Sequence, residues 1–214
     1  MKALIIGATG ATGKDLIELL IQDNTFQQID VFVRRELNIS NEKVKVHTIN
    51  FDKPEEWKSF VQGDVLFSCL GTTLKAAGSK DAQWKIDFDY QYAFAQAAKE
   101  NQVSTYVLVS AGSASATSNL FYTRMKGQLE DAIKALHFPK TIIFNPPLLV
   151  RKNSDRTAEV IAKKVLQFFN NIGLLHSQKP LPTEVLAQAM INASKIAKTG
   201  LTALKADEIW NLSV

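Results

Sequence analysis

The chain has 214 residues, of which 46% are hydrophobic and 21% charged, and these proportions exclude collagen-like, disordered and disulfide-scaffold proteins. The net charge is +4, but residues 1–150 carry 16 basic and 16 acidic side chains, so nucleic-acid binding is not favoured. This length suits one core, so we expect a single domain over residues 1–214, and no apolar run approaches the roughly 18 residues of a membrane span.

The N-terminal half alternates strand and helix patterns. Residues 3–6 are a short apolar run ending at Gly7, typical of a strand buried on both faces, and leucines at helical spacing follow. Further strands are predicted at residues 29–33, 44–49, 65–68, 103–110 and 141–144, and helices at 54–61, 84–101 and 121–136. Strands separated by helices predict an α/β fold of the Rossmann type, with a doubly wound parallel sheet covered on both faces.

The pattern changes after Pro147. One helix is predicted around residues 156–170 and another from Pro182 to about Ala197, forming a small C-terminal extension on the substrate side. The segment 112–119 is rich in small and hydroxyl residues, and it is interpreted equally as a mobile surface loop or as a loop beside a site.

A glycine-rich loop directly follows the first strand and opens the first helix. Its cofactor-binding candidates are Gly7, Thr9, Gly10, Ala11, Thr12 and Gly13. The glycines allow a tight turn and close approach of the backbone to a pyrophosphate. The helix start adds free N–H groups and a positive dipole. The loop therefore predicts dinucleotide binding.

The end of the second strand indicates which dinucleotide is bound. NAD-binding proteins usually place an acidic residue there for the ribose hydroxyls, whereas this chain has Arg34 and Arg35. A guanidinium can bind a 2′-phosphate through paired, charge-assisted hydrogen bonds, so NADP is preferred over NAD, with Arg34 the favoured contact. Asp52, just past the third strand, is a weaker candidate that would accept a hydrogen bond from the adenine amino group.

Three residues form a candidate catalytic group. Tyr122 and Lys126 have the four-residue spacing that places two side chains on one helical face, and Ser110 ends the preceding strand. Hydride transfer to a carbonyl leaves an alkoxide, which Tyr122 could protonate if its pKa were lowered by the Lys126 ammonium. Lys126 would also donate to the ribose hydroxyls of the cofactor, and Ser110 to the substrate oxygen.

With these motifs the chain resembles the short-chain dehydrogenase/reductases, in particular the atypical branch of Tat-interacting-protein-like oxidoreductases. The resemblance covers nearly the whole chain, and it rests on the glycine loop and on residues 33–35, 69–73, 86–90 and 122–130. It implies an NADP-bound Rossmann domain whose cofactor is lined by Leu70, Gly71 and Thr72, with Ser110, Tyr122 and Lys126 as the catalytic group. One departure follows the sixth strand, where the family often has Arg-Pro-Gly and this chain has Asn145-Pro146-Pro147.

Two classes of function remain open. One is an NADPH-dependent reductase of a small carbonyl-like substrate; the other is a catalytically silent NADP-binding redox sensor or regulator that acts through a protein partner. The Ser–Tyr–Lys group favours the reductase, because a sensor needs no proton donor. A monomer and a homodimer are equally expected, and the sequence does not identify the substrate.

The cysteine and histidines predict no further site. Cys69 is the single cysteine and is interpreted as a packing residue. Because no intrachain disulfide is possible, a reducing compartment and a cytoplasmic location are expected. His47, His137 and His176 lack metal-ligand spacing, so no metal site is predicted.

Overall fold

The computed structural model describes residues 1–150 and 180–214. Within them, seven strands form one sheet in the order β3-β2-β1-β4-β5-β6-β9, with all neighbouring strands parallel. These strands are β1 (Lys2–Ile6), β2 (Gln28–Val33), β3 (Val44–Thr48), β4 (Val65–Ser68), β5 (Thr105–Val109), β6 (Lys140–Asn145) and β9 (Gly200–Lys205). A second parallel pair is formed by β7 (Leu149–Val150) and β8 (Leu181–Pro182).

Helices cover the connections between the strands. They are α1 (Ala11–Gln22), α2 (Pro54–Trp57), α3 (Leu74–Ala77), α4 (Lys80–Trp84), α5 (Tyr90–Glu100), α6 (Phe121–Lys134), α7 (Thr183–Ile196) and α8 (Ala206–Leu212). A 3₁₀ turn at Lys58–Phe60 extends α2, and a π-helical turn at Lys85–Asp89 joins α4 to α5. The predicted doubly wound α/β fold is therefore confirmed, although the helix predicted to begin at residue 84 begins earlier.

The sheet is buried on both faces. Ala3 and Ile5 of β1 point into the core that includes α1 and α7, whereas Leu4 and Ile6 point into the core that includes α5 and α6. Successive side chains of a strand alternate between faces, so a strand between two helical layers must be apolar at every position. This requirement explains the continuous apolar run from which β1 was predicted.

The C-terminal part adds an edge strand that the sequence did not predict. Pro182 lies directly before α7, as expected of a proline at a helix start. β9 pairs with β6 at the sheet edge, and most of its residues are exposed, so it lacks the apolar run of the inner strands. The helix predicted at 156–170, and His176, lie outside the described residues.

A buried carboxylate links the first three strands near the amino ends of β1 and β2. Asp30 Oδ2 accepts hydrogen bonds from His47 Nε2 at 2.8 Å and Lys2 Nζ at 3.0 Å, and its Oδ1 accepts one from Gln28 Nε2 at 2.7 Å. Burial acts to raise the pKa of Asp30, but the hydrogen bonds from His47, Lys2 and Gln28 outweigh it and hold that pKa below its usual value.

Replacing Asp30 with Asn is therefore expected to lower the free energy of unfolding at pH 7 by about 1.5–3 kcal/mol, the usual contribution of hydrogen bonds to a charged group. Because the folded-state pKa lies below the unfolded value of about 3.9, this stabilisation is present above that pH and is lost as the pH falls through the folded value. Urea unfolding across this pH range measures the difference between the variant and wild type, which should shrink in acid.

The matched control is Asp131→Asn, because the Asp131 side chain is 61% exposed and pairs only with Lys134 among the described residues. This change should alter stability by no more than about 0.5 kcal/mol. The role of the buried carboxylate would be contradicted if Asp131→Asn lowered the free energy of unfolding as much as Asp30→Asn does. It would also be contradicted if the effect of Asp30→Asn remained at low pH.

Candidate functional site

The glycine loop joins β1 to α1 and lies against the loop that follows β4. Gly7 has a φ of +84°, and a Cβ added to it would lie 2.3 Å from the carbonyl carbon of Cys69. At Gly13 an added Cβ would lie 2.3 Å from the carbonyl oxygen of Gly7. No side chain fits at either position, so these glycines allow the strand, the turn and the helix to pack at backbone distance.

The start of α1 presents free backbone donors at this edge of the sheet. Gly10 precedes the helix and supplies no side chain to cap it, and Thr9 and Gly10 are exposed. The N–H groups of the first turn, from Ala11 to Gly13, have no acceptor within the helix, and the helix dipole adds positive potential. This arrangement fits the pyrophosphate of a dinucleotide.

The two arginines follow β2, whose carboxyl end lies beside that of β1. Arg34 and Arg35 are exposed, and neither forms a hydrogen bond or ion pair with another described residue. Asp52, by contrast, accepts a hydrogen bond from the Tyr90 hydroxyl at 2.8 Å and pairs with Lys85 Nζ at 2.7 Å. An adenine amino group would share this carboxylate with protein donors.

The loop after β4 is held by Asp87, which lies in a segment that carries the family resemblance but for which no role was predicted. The Thr72 N–H donates to Asp87 Oδ1 at 2.7 Å, and Gln83 Nε2 donates to the Thr72 carbonyl at 3.1 Å. Asp87 belongs to the π-helical turn, a distortion that often marks functional sites. These bonds hold Thr72, and the close approach of Gly7 to the Leu70 nitrogen places this predicted cofactor-lining segment beside the glycine loop.

Asp87 and Lys126 are both buried and interact electrostatically, although no hydrogen bond or ion pair joins the two side chains. Asp87 is completely buried, and its Oδ2 has no hydrogen-bond partner. Burial raises the pKa of Asp87, opposed by the Lys126 charge and by the Thr72 N–H. Lys126 is only 3% exposed; burial lowers its pKa, and the carboxylates of Asp87 and Glu130 oppose that change. The ammonium thus lies in the field of two carboxylates.

Tyr122 lies one helical turn before Lys126 on α6, and its side chain is 36% exposed. The sequence predicted that Lys126 would lower the pKa of Tyr122. That prediction is wrong, because desolvation of the hydroxyl and repulsion by the Asp87 carboxylate raise the pKa. The raised pKa keeps the hydroxyl protonated and also makes it a weaker acid than an ordinary tyrosine.

Ser110 differs from the prediction in its hydrogen bond. Its hydroxyl donates to Glu130 Oε1 at 2.5 Å, so the proton expected to reach a substrate oxygen is already engaged. Asn145 Nδ2 donates to the same Glu130 oxygen at 2.7 Å and to the Ala111 carbonyl at 3.1 Å. The departure from the family's Arg-Pro-Gly thus places an amide at the end of β6, directed at Glu130.

The segment 112–119 packs on α6 beside Lys126. A Cβ added to Gly127 would lie 2.1 Å from the backbone nitrogen of Ala116, and Arg124 Nη1 donates to the Ser118 carbonyl at 2.8 Å. Of the two interpretations, a mobile surface loop and a loop beside the site, this placement agrees with the second.

The model of a protein family described as NAD(P)H-binding matches residues 7–167. The chain belongs to this family. The match begins at the glycine loop and extends over Arg34, Asp87 and α6. NAD(P)-binding by a Rossmann-type domain is therefore the function that the family supplies, and the free N–H groups at the start of α1 fit it.

Curated relatives extend over nearly the whole chain. "Protein FMP52-1, mitochondrial" of Scheffersomyces stipitis is 34% identical over 202 residues, covering 91% of this chain and 88% of the relative. "Protein fmp52, mitochondrial" of Emericella nidulans is 32% identical over 220 residues, covering 97% and 93%. Neither name specifies an activity.

Solved structures share the fold. A short-chain dehydrogenase/reductase superfamily protein from Agrobacterium tumefaciens, with bound NAD, has a TM-score of 0.74 at 13% identity, covering 97% of this chain and 78% of that chain. WbmH from Bordetella bronchiseptica, in complex with NAD⁺, has a TM-score of 0.70 at 14% identity, covering 95% and 74%. These likenesses confirm the Rossmann-type fold that the resemblance to the short-chain dehydrogenase/reductases implied.

The expected cytoplasmic location is wrong. The relatives from Scheffersomyces stipitis, Emericella nidulans and Meyerozyma guilliermondii are all named as mitochondrial proteins. Cys69 gives no contrary signal, because a single cysteine allows no intrachain disulfide in either compartment. Among residues 1–150 and 180–214, no helix has the length and apolar character needed to cross a bilayer.

Proposed function

We propose that this NAD(P)H-binding protein is a mitochondrial NADPH-dependent reductase of a small carbonyl-like substrate. The observation that carries the proposal is the buried Lys126, placed in the field of Asp87 and Glu130 one turn after Tyr122. Burying an ammonium is costly, and a structural role would not require it to lie beside a tyrosine at the ligand-binding edge of the sheet. Perturbed ionisable groups of this kind cluster at functional sites.

The cofactor would be held by groups from three strand ends. The glycine loop, from Gly7 to Gly13, would bind the pyrophosphate, and Leu70 to Thr72 would line the other side. Arg34 would pair with the 2′-phosphate, assisted by Arg35, because both guanidinium groups are exposed and unpaired among the described residues. Asp52 would contact the adenine end only weakly, since Lys85 and Tyr90 already engage its carboxylate.

The side chains on α6 would handle the proton. NADPH supplies the hydride when bound. The Tyr122 hydroxyl, protonated because burial and Asp87 raise its pKa, would donate its proton to the more basic alkoxide oxygen of the reduced substrate. The Lys126 ammonium would then stabilise the phenolate left behind and donate to the ribose hydroxyls.

Replacing Arg34 with Asp should weaken NADPH binding roughly 10- to 150-fold, because a charge-assisted contact is lost and a repulsive one added. NADH has no 2′-phosphate, so its affinity should change far less. Fluorescence titration of wild type and variant with NADPH and with NADH measures the change in affinity for each cofactor.

The control is Lys45→Asp, which makes the same change in net charge at an exposed position on β3. It should leave the ratio of NADPH to NADH affinity unchanged. If Arg34→Asp weakens both cofactors equally, or neither, the 2′-phosphate is bound elsewhere and the NADP preference loses its support.

The reductase activity itself is tested by NADPH oxidation across a panel of aldehydes, ketones and quinones. Turnover of any of them, dependent on Tyr122, supports the proposal. Tight NADPH binding with no turnover across the panel would instead favour the silent redox sensor acting through a protein partner.

A further inference from the structure

A buried polar cluster connects Ser110 of the candidate catalytic group to Glu130 and Asn145. It consists of Ser110 at the end of β5, Glu130 on α6 and Asn145 at the end of β6. Ser110 is 6% exposed and Glu130 9% exposed. Glu130 Oε1 accepts from the Ser110 hydroxyl at 2.5 Å and from Asn145 Nδ2 at 2.7 Å. One carboxylate oxygen thus joins three separate elements.

Burying a carboxylate is unfavourable unless charge and hydrogen bonds compensate. For Glu130 the compensation comes from Ser110, Asn145 and the positive charge of Lys126, with Lys134 Nζ at 3.7 Å from Oε2. An apolar residue would fill the same space between α6 and the sheet without this cost. The carboxylate therefore requires an explanation beyond packing.

The direction of the Ser110 hydrogen bond follows from the chemistry of its partner. An ionised carboxylate has no proton to give, so the hydroxyl must be the donor, and at 2.5 Å the bond is a short, charge-assisted one. The single hydroxyl proton of Ser110 is then committed. Only the lone pairs of its oxygen remain for a ligand.

We propose that Glu130 is a positioning residue of the active site. It orients the Ser110 hydroxyl so that the oxygen acts as a hydrogen-bond acceptor, and through Asn145 it ties the end of β6 to the end of β5. Of the pair Ser110 and Tyr122, Tyr122 alone then donates to a substrate carbonyl. The kinetic part of this inference rests on the proposed reductase function; the positioning of Ser110 does not.

Two substitutions at Glu130 separate hydrogen bonding from packing. Glu130→Gln keeps a carbonyl oxygen that can accept from both Ser110 and Asn145, whereas Glu130→Leu keeps the volume and removes the acceptor. Glu130→Leu should lower kcat roughly 10- to 100-fold, the range expected for one charge-assisted hydrogen bond, with NADPH affinity within about threefold of wild type. Glu130→Gln should recover most of kcat. Asp131→Leu, which removes an exposed carboxylate from the same helix and leaves Ser110 and Asn145 untouched, should match wild type.

A double-mutant cycle tests whether Glu130 acts through Ser110. Ser110→Ala and Glu130→Leu combined should lower kcat by no more than about twofold beyond Ser110→Ala alone, because residues that act as one unit are not additive. Additive losses, or an equal loss in Glu130→Gln and Glu130→Leu, would overturn the positioning role while leaving the reductase proposal intact.

The same four proteins give a measurement that needs no substrate. In urea unfolding, the effects of the two single changes on the folding equilibrium constant should differ from additivity by at least about twofold, the lower end for directly interacting residues. If no compound is turned over but this coupling is present, the reductase proposal fails and the positioning of Ser110 stands. If the two changes are additive in stability as well, Glu130 does not hold Ser110.

Discussion

Tyr122→Phe should reduce turnover about 10²- to 10⁴-fold and leave NADPH binding close to that of wild type. The change deletes only the hydroxyl, so the ring keeps its place at the start of α6. The loss follows from the removal of a donor that burial and Asp87 keep protonated. NADPH oxidation with an active compound, together with NADPH titration, measures both quantities.

Tyr92→Phe is the matched control, because Tyr92 is half-buried on α5 and its described contact is a ring contact with Phe88. The same loss of a hydroxyl there should leave turnover unchanged. If wild type and Tyr122→Phe oxidise NADPH equally with every active compound, Tyr122 is not the acid.

The fold could be predicted from the sequence where burial alone dictates the pattern. An inner strand such as β1 must be apolar on both faces, which gives a continuous apolar run in the sequence. The turn after it requires a φ of +84° at Gly7, and this conformation favours a glycine that can be recognised in the sequence. β9 has no comparable pattern, because most side chains of this edge strand are exposed and need not be apolar. The π-helical turn at Lys85–Asp89 was not predicted either, because the spacing of apolar residues along a helix does not show where such a turn inserts one residue.

The site was predicted only where it depends on local spacing. Tyr122 and Lys126 are one turn apart, so their shared face can be derived from the sequence. Asp87 and Glu130 lie in segments that carry the family resemblance, but no role was predicted for them, because their partners Thr72 and Ser110 are distant in sequence. The direction of the pKa shift of Tyr122 was predicted wrongly for the same reason. The spacing of Tyr122 and Lys126 can be seen in the sequence, whereas the approach of Asp87 and the desolvation of the Tyr122 hydroxyl cannot.

The location was wrong for a different reason. A single cysteine forbids an intrachain disulfide in every compartment, so Cys69 could not distinguish the cytoplasm from the mitochondrion. The Rossmann fold also does not determine the cellular location of a protein. The mitochondrial location is indicated by the names of the relatives and not by the packing of this chain.

Lys126→Met should lower turnover by a factor comparable to that of Tyr122→Phe, and unlike that variant it should also weaken NADPH binding. Methionine has a similar length and is apolar, so the packing around α6 is preserved while the ammonium is lost. The phenolate loses its counter-charge and the ribose loses a donor. The same two measurements, turnover and NADPH titration, distinguish the variants.

A fall in stability must be separated from these losses, because Lys126→Met leaves Asp87 buried without its opposite charge. The loss of this charge should therefore lower the free energy of unfolding, because a buried carboxylate without compensation is unfavourable. Adding Asp87→Asn to Lys126→Met removes the uncompensated carboxylate and keeps an oxygen for the Thr72 N–H. The double variant should recover stability in urea unfolding without recovering turnover or NADPH affinity. If turnover returns together with stability, Lys126 serves the fold and takes no part in the chemistry.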